Sequence, residues 1–212
     1  PKVEDAGVTR YLTPEEEKRL RATLRKRDDE ARRGRARHNK WLAERGQDPL
    51  PEIPKNGFSD HLTPMVLLSM NTGLRYGELA WLEWAAIDLP ARNLTVTGRT
   101  AKGAKTRHIP LNDEALDVLK RCGTGTGLVF ANADGSRIGT VKTAWGKVLD
   151  DASIENFRWH DLRHSFASKL VQRGVDLVVV RDLLGHGDFA LTLRYAHLEP
   201  KQKADAVARL AK

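Results

Sequence analysis

At 212 residues the chain can form one large domain or two small ones with a buried core, and 40% hydrophobic against 30% charged residues is a soluble globular balance. No apolar run approaches the roughly 18 residues of a membrane span, and the lone Cys122 excludes an internal disulfide and a cysteine metal cluster. The formal charge of +8 suits a polyanionic partner, but +5 of it lies in residues 1–45, where 14 Lys and Arg meet 9 Asp and Glu, and that segment reads equally well as a solvated helix face.

The absence of disulfides fits a reducing compartment, and the start carries no signal-peptide pattern. Because the chain begins at Pro1, we expect a piece of a longer protein. Thr13-Pro14-Glu15-Glu16 is a helix start: Thr caps, Pro takes the first helical position and Glu16 completes a capping box. The helix is expected to reach about Arg33, to be interrupted by Gly34, to resume through Trp41 and to stop at Gly46. Pro49, Pro51 and Pro54 then mark an extended loop ending near Gly57.

Leu62–Met70 reads as a buried helix stopped by Asn71-Thr72-Gly73, followed by a short helix over Arg75–Trp84. The one β region is Asn93–Thr97 and Thr106–Leu111, two runs around a polar turn at Gly98–Gly103, expected as a small antiparallel sheet or hairpin. Helices are expected over Asp113–Arg121, Thr140–Asp151, His160–Gln172, Leu177–Leu184, Leu191–Ala196 and Lys201–Ala211, with glycines 174, 185 and 187 marking helix ends. The fold class is therefore mainly α with a small antiparallel β-sheet (α+β).

Three segments hold candidate chemistry. In Thr72-Gly73-Leu74-Arg75-Tyr76-Gly77-Glu78-Leu79, Gly73 permits a tight turn, Arg75 falls in a helix's first turn where a phosphate is favoured, and Glu78 can pair with it one turn on. In Trp159-His160-Asp161-Leu162-Arg163-His164, positions 160 and 163 share a helix face, so an imidazole and a guanidinium converge. The third is Leu183-Leu184-Gly185-His186, followed nine residues later by Tyr195 in Leu193-Arg194-Tyr195-Ala196-His197. Taken singly, these are a surface ion pair, a capping histidine with an exposed arginine, and a half-buried core tyrosine. Lys102 and Lys105 are ordinary exposed lysines on the same terms.

Jointly, the order Arg, Lys, His-x-x-Arg, His, Tyr resembles the tyrosine recombinases, the phage-integrase family. Thr-Gly-Leu-Arg-x-Gly-Glu-Leu, His-Asp-Leu-Arg-His-Ser-Phe-Ala-Ser, Leu-Leu-Gly-His and the nine-residue step to Tyr195 are similar to that family's motifs, over roughly Thr9 to the C-terminus. The resemblance implies the catalytic-domain fold of that family and a role for each position. Tyr195 attacks the scissile phosphate to give a 3′-phosphotyrosyl bond. Arg75 and Arg163 hold the non-bridging oxygens, His160 assists proton transfer with Tyr195, and His186 hydrogen-bonds the phosphate. Lys102 protonates the leaving 5′ oxygen, with Lys105 as the alternative, and Glu78 supports the site. Lys105, Arg107 and Arg194 are further expected DNA contacts.

No metal, ATP or other cofactor is implied, since two arginines and a lysine supply the positive charge. The implied partner is double-stranded DNA, bound by a homotetramer of the full-length protein in a bacterial or phage-infected cytoplasm, with no membrane. Residues 1–212 are expected to be a single catalytic domain, with 1–8 a linker remnant and 199–212 a tail helix that could exchange between protomers. The family's N-terminal DNA-clamping domain is expected to be missing from this chain. Competing readings are a type IB topoisomerase, a DNA-binding descendant that no longer cuts, and an unrelated basic helical interaction protein.

Overall fold

The computed structural model describes residues 9–97 and 106–198. The linker remnant, the polar turn with Lys102 and Lys105, and the expected tail helix lie outside those residues. The first helix, α1 (Pro14–Ala43), starts as the sequence requires: the Thr13 hydroxyl accepts from the Glu16 N–H and the Glu16 carboxylate accepts from the Thr13 N–H. It does not break at Gly34. A glycine inside a helix costs only about 1 kcal/mol, and the returning loop secures the helix beyond that point. Asn39 exchanges two hydrogen bonds with the backbone of Leu50 at 2.8 and 2.9 Å, while Arg32 and Arg35 donate to the carbonyls of Gly57 and Pro51.

Helix α2 (Leu62–Thr72) is buried along almost its whole length and ends on Gly73 in the left-handed region at φ +65°. The expected helix over Arg75–Trp84 is much shorter: α3 covers Tyr76–Ala80 only. Distant backbone competes for the groups a longer helix would have used. Val129 donates to the Leu82 carbonyl at 2.7 Å and Trp84 donates to that of Gly127 at 2.9 Å. A 3-10 turn at Trp84–Ala86 then leads into β1 (Ile87–Asp88), a strand the sequence reading missed because two residues carry no alternation.

Strands β2 (Asn93–Val96) and β3 (Arg107–Pro110) pair antiparallel as expected, and β1 joins on the other edge of β2 to give the order β1-β2-β3. Leu94 pairs with both Ile87 and Ile109, so the sheet's inner face centres on it. In β3 the inward positions are Arg107 and Ile109, and this alternation sends an arginine into the protein.

Helices α4 (Asp113–Cys122), α5 (Lys142–Asp151), α6 (Trp159–Gln172), α7 (Leu177–Leu184) and α8 (Ala190–Leu193) follow, with a 3-10 turn at Ala196–Leu198. The expected helix over Leu191–Ala196 is thus split around Tyr195. Helix α6 is the axis of the molecule: every residue from Asp161 to Ser168 is buried. It packs on α2 and α7, and the three apolar clusters of the core meet around these helices. None of the described helices is long and apolar enough to cross a membrane.

The two helix glycines are expected to respond oppositely to alanine. A methyl at Gly73 would stand 2.6 Å from Phe166 Cδ1 on a left-handed backbone, so Gly73→Ala lowers unfolding free energy by about 3 kcal/mol. A methyl at Gly34 meets nothing within 4 Å, so Gly34→Ala raises it by about 0.5–1 kcal/mol. Urea titrations of the two variants beside the parent check both signs.

Candidate active site

Gly73 turns the chain sharply out of α2, and Arg75 follows in extended backbone as the residue that caps α3, one step ahead of the helical position expected. The Arg75 N–H donates to Glu78 Oε2 at 2.8 Å, and its Nη1 donates to Oε1 at 3.1 Å. The same carboxylate takes a second guanidinium end on: Arg107 Nη1 donates to Oε1 at 3.0 Å and Nη2 to Oε2 at 2.8 Å. Arg107 Nε completes the set by donating to the Leu183 carbonyl at 3.0 Å.

Arg107, expected as a DNA contact, is therefore an internal residue whose donors are committed to Glu78 and α7. Burial alone would raise the Glu78 carboxyl, but the hydrogen bonds and charge of Arg107, together with Arg75, hold it below the ordinary carboxylate range. The approach of Arg107 needs Gly185 next to it. A Cβ there would lie 2.9 Å from Arg107 Cδ, and the glycine sits at φ +64° as the cap of α7.

Arg163 is buried on α6. Its Nη1 donates to the Gly73 carbonyl at 2.8 Å and its Nη2 donates to the Leu184 carbonyl. Both acceptors stand at helix C-terminal ends, where the partial charge is negative. Burial, and then the neighbouring charge of Arg75, pull the guanidinium down to about 9 against the opposing pull of Glu78. Arg75 and Arg107 thus bond the Glu78 carboxylate, and Arg163 is close enough to feel its charge.

The two histidines differ in setting. His160 is exposed in the first turn of α6; loss of hydration along its inner edge, with the charges of Arg163 and Arg75, lowers its pKa. His186 follows Gly185, and its Nδ1 is 2.9 Å from the buried Thr192 hydroxyl. Burial, then Arg163 and Arg75, push it down to about 3.

Tyr195 is 1% exposed and packs with Phe166, Ala167, Leu177, Val180 and Leu184. Its hydroxyl lies 2.5 Å from Nδ1 of His164, not against His160. Burial drives the phenol up to about 12, with Arg194 and Arg163 pulling the other way. His164, itself buried, is pushed down to about 4 by burial and then by His160. Arg194 is exposed beside Tyr195. The structure therefore places Arg75, Glu78, Arg163, His160, His186 and Tyr195 around one site, while Lys102 and Lys105 lie outside the described residues.

Sequence reasoning missed His164, Thr192 and the internal role of Arg107. A signal existed for the first: 160, 163 and 164 are spaced i, i+3, i+4 and share one helix face. Among the described residues there is no group of three or more His, Cys, Asp or Glu that could hold a metal ion.

A sequence model described as the phage integrase family matches residues 50–202. The chain is 35% identical over 153 residues to the integrase of Salmonella phage P22, covering 66% of this chain and 40% of that protein. It is 32% identical over 165 residues to tyrosine recombinase XerA of Pyrococcus furiosus, covering 74% and 56%. It therefore spans about half the length of the curated relatives it matches. In fold it is similar to the catalytic domain of bacteriophage HP1 integrase, with a TM-score of 0.63 at 22% identity over 94% of this chain and 93% of that one. It is also similar to the Tn1549 transposon integrase in complex with circular intermediate DNA, at TM-score 0.66 and 17% identity over 98% and 69%.

Two imidazoles, the buried His164 and the half-buried His186, set an acid limit on the fold. Both have folded values below the unfolded value of about 6.5, so the unfolded chain binds their protons first. Their contribution is complete above that pH and is lost as pH falls toward about 4 for His164 and about 3 for His186. Unfolding free energies from urea titrations at pH 7.0, 6.0 and 5.0 should fall progressively, by on the order of 2–3 kcal/mol in total once the half-exposed setting of His186 is discounted.

Proposed function

The chain belongs to the phage integrase family, and from that membership we propose that it is the cutting and rejoining domain of a tyrosine-type site-specific recombinase acting on double-stranded DNA. Two guanidiniums bonded to one carboxylate, with the buried guanidinium of Arg163 within reach of its charge and a buried phenol beside them, carry this reading. A phosphodiester brings one negative charge to that excess, and its pentacoordinate transition state brings another. Donors fixed in advance by Glu78, Gly73 and Leu184 favour the second more than the first.

On this reading Tyr195 Oη attacks the scissile phosphorus, the 5′ oxygen leaves, and a 3′-phosphotyrosyl ester conserves the bond for religation without ATP. Arg75 and Arg163 take the non-bridging oxygens. His186, held through Nδ1 by Thr192, presents its other nitrogen to the phosphate, and His160 stands at the exposed edge of the site. Glu78 is a positioning residue that keeps Arg75 in place. Lys102, or Lys105, protonates the leaving oxygen. The full-length protein is proposed to work as a tetramer on DNA inside a bacterial cell, with residues 199–212 as the segment exchanged between protomers.

The test is covalent capture on a pool of nicked duplexes of randomised sequence, read as an SDS-resistant protein–DNA adduct. Adduct is expected from the parent chain, equally in excess EDTA, and none from Tyr195→Phe. Arg75→Ala and Arg163→Lys should each lower the adduct rate by about 10²–10³-fold, and Glu78→Gln by about tenfold. Adduct surviving in Tyr195→Phe removes Tyr195 as the nucleophile.

A further inference from the structure

The family resemblance gives help with the Tyr195 proton to His160, but the Tyr195 hydroxyl lies against a different imidazole. Among the described residues, the Tyr195 hydroxyl makes one side-chain hydrogen bond, to His164 Nδ1 at 2.5 Å. Both partners are buried, and the rings stand 5.9 Å apart between centroids. We propose that His164 is the catalytic base of this site, taking the phenolic proton of Tyr195 at Nδ1 as the phosphate is attacked and returning it on religation. The proposal rests on the reading of Tyr195 as nucleophile.

The geometry supports it in three ways. His164 follows Arg163 on α6, so the group that receives the proton and a group that holds the phosphate are set about 100° apart on the same helix. That helix is buried from Asp161 to Ser168, so neither side chain can drift relative to the other. His160 stacks edge-on against His164 at 4.9 Å and 86°, confining the ring plane.

The charged and titratable groups facing His164 are His160, Asp161 and Arg163 from its own helix, Arg194 and Tyr195 from the segment after α8, and His186 from the turn after α7. Their balance, with burial, keeps the imidazole neutral at neutral pH. A neutral ring with hydrogen on Nε2 leaves Nδ1 free to accept.

The step balances. The Oη–H bond breaks and its proton passes to Nδ1, giving an imidazolium, as the Oη–P bond forms. The P–O5′ bond breaks and the 5′ oxygen takes a proton from the lysine of the polar turn. In religation each transfer runs backwards. A base this weak depends on the attack itself: negative charge gathering on phosphorus raises the proton affinity of the imidazole, and the proton leaves once that charge disperses.

Two measurements test it. Long-range proton–nitrogen NMR of the 212-residue chain should show His164 Nδ1 as an unprotonated acceptor whose resonance moves in Tyr195→Phe; a protonated Nδ1 at pH 7 overturns the proposal. On the nicked duplex pool, His164→Asn keeps an acceptor oxygen near the Nδ1 position but no base. It should lose about 10²-fold or more in adduct rate, with the alkaline-rising part of the pH profile displaced. His164→Ala should lose as much and recover about tenfold in added imidazole.

An asparagine variant at the parent rate leaves a positioning contact only and overturns the proposal. So does an alanine variant that cuts as fast as the parent or faster, or one that stays folded by circular dichroism and ignores imidazole. If Tyr195→Phe still forms adduct, the nucleophile assignment itself has failed. If it is inactive while both His164 variants are fully active, only the present inference has.

Discussion

A carboxylate with only 8% of its side chain exposed must be compensated, and at Glu78 the compensation comes from two directions at once. Arg75 reaches it from the turn after α2, and Arg107 reaches it from the third strand while also bonding the last turn of α7. One carboxyl group thus ties the sheet, a short helix and the C-terminal helical region into a single frame. Taking either partner away from such a buried pair strands an uncompensated charge, which in proteins costs about 3–5 kcal/mol. Because Arg107 satisfies both oxygens, Arg75 need contribute only part of its donor fork, and it remains 40% exposed with donors available to an anion.

The second constraint is the fixed position of α6. Its first turn is located by aromatic packing: Trp159 meets Tyr76 edge-on at 5.3 Å and Trp145 at 5.4 Å, and the Tyr76 hydroxyl donates to the Gly139 carbonyl at 2.8 Å. In its middle, the Ser165 hydroxyl accepts from the Leu12 N–H at 2.9 Å, so the segment entering α1 is sewn to the same helix. His160, Arg163 and His164 inherit that rigidity. A site carried on a helix fixed at two levels holds its geometry better than one carried on loops.

Much of this was legible in the sequence, for identifiable reasons. The Thr13 capping box, the Gly73 and Gly185 helix ends and the β2–β3 pairing rest on contacts within a few residues or on regular alternation, which local pattern reports well. Where the reading went astray, distant partners decided the outcome. Helix α3 stops at Ala80 because the backbone of 127–129 claims Leu82 and Trp84, and α1 passes Gly34 because the loop 50–57 supports it. In the site, motif order led to Arg75, Arg163, His186 and Tyr195. The partnership of His164 with Tyr195 depends on where a chain 31 residues further on returns, which no local spacing encodes. Arg107 was misjudged because its charge outweighed its inward place in the strand alternation.

The near-complete covering of Tyr195 bears on fidelity as much as on reactivity. On the proposed reading the ester forms beside His164 Nδ1, on a ring packed among Phe166, Leu177, Val180 and Leu184. Of the two nucleophiles able to open it, the DNA 5′-hydroxyl arrives on a strand anchored elsewhere, whereas water must diffuse in alone. On the proposed reading, the apolar packing of the Tyr195 ring favours resealing of the covalent state over its hydrolysis.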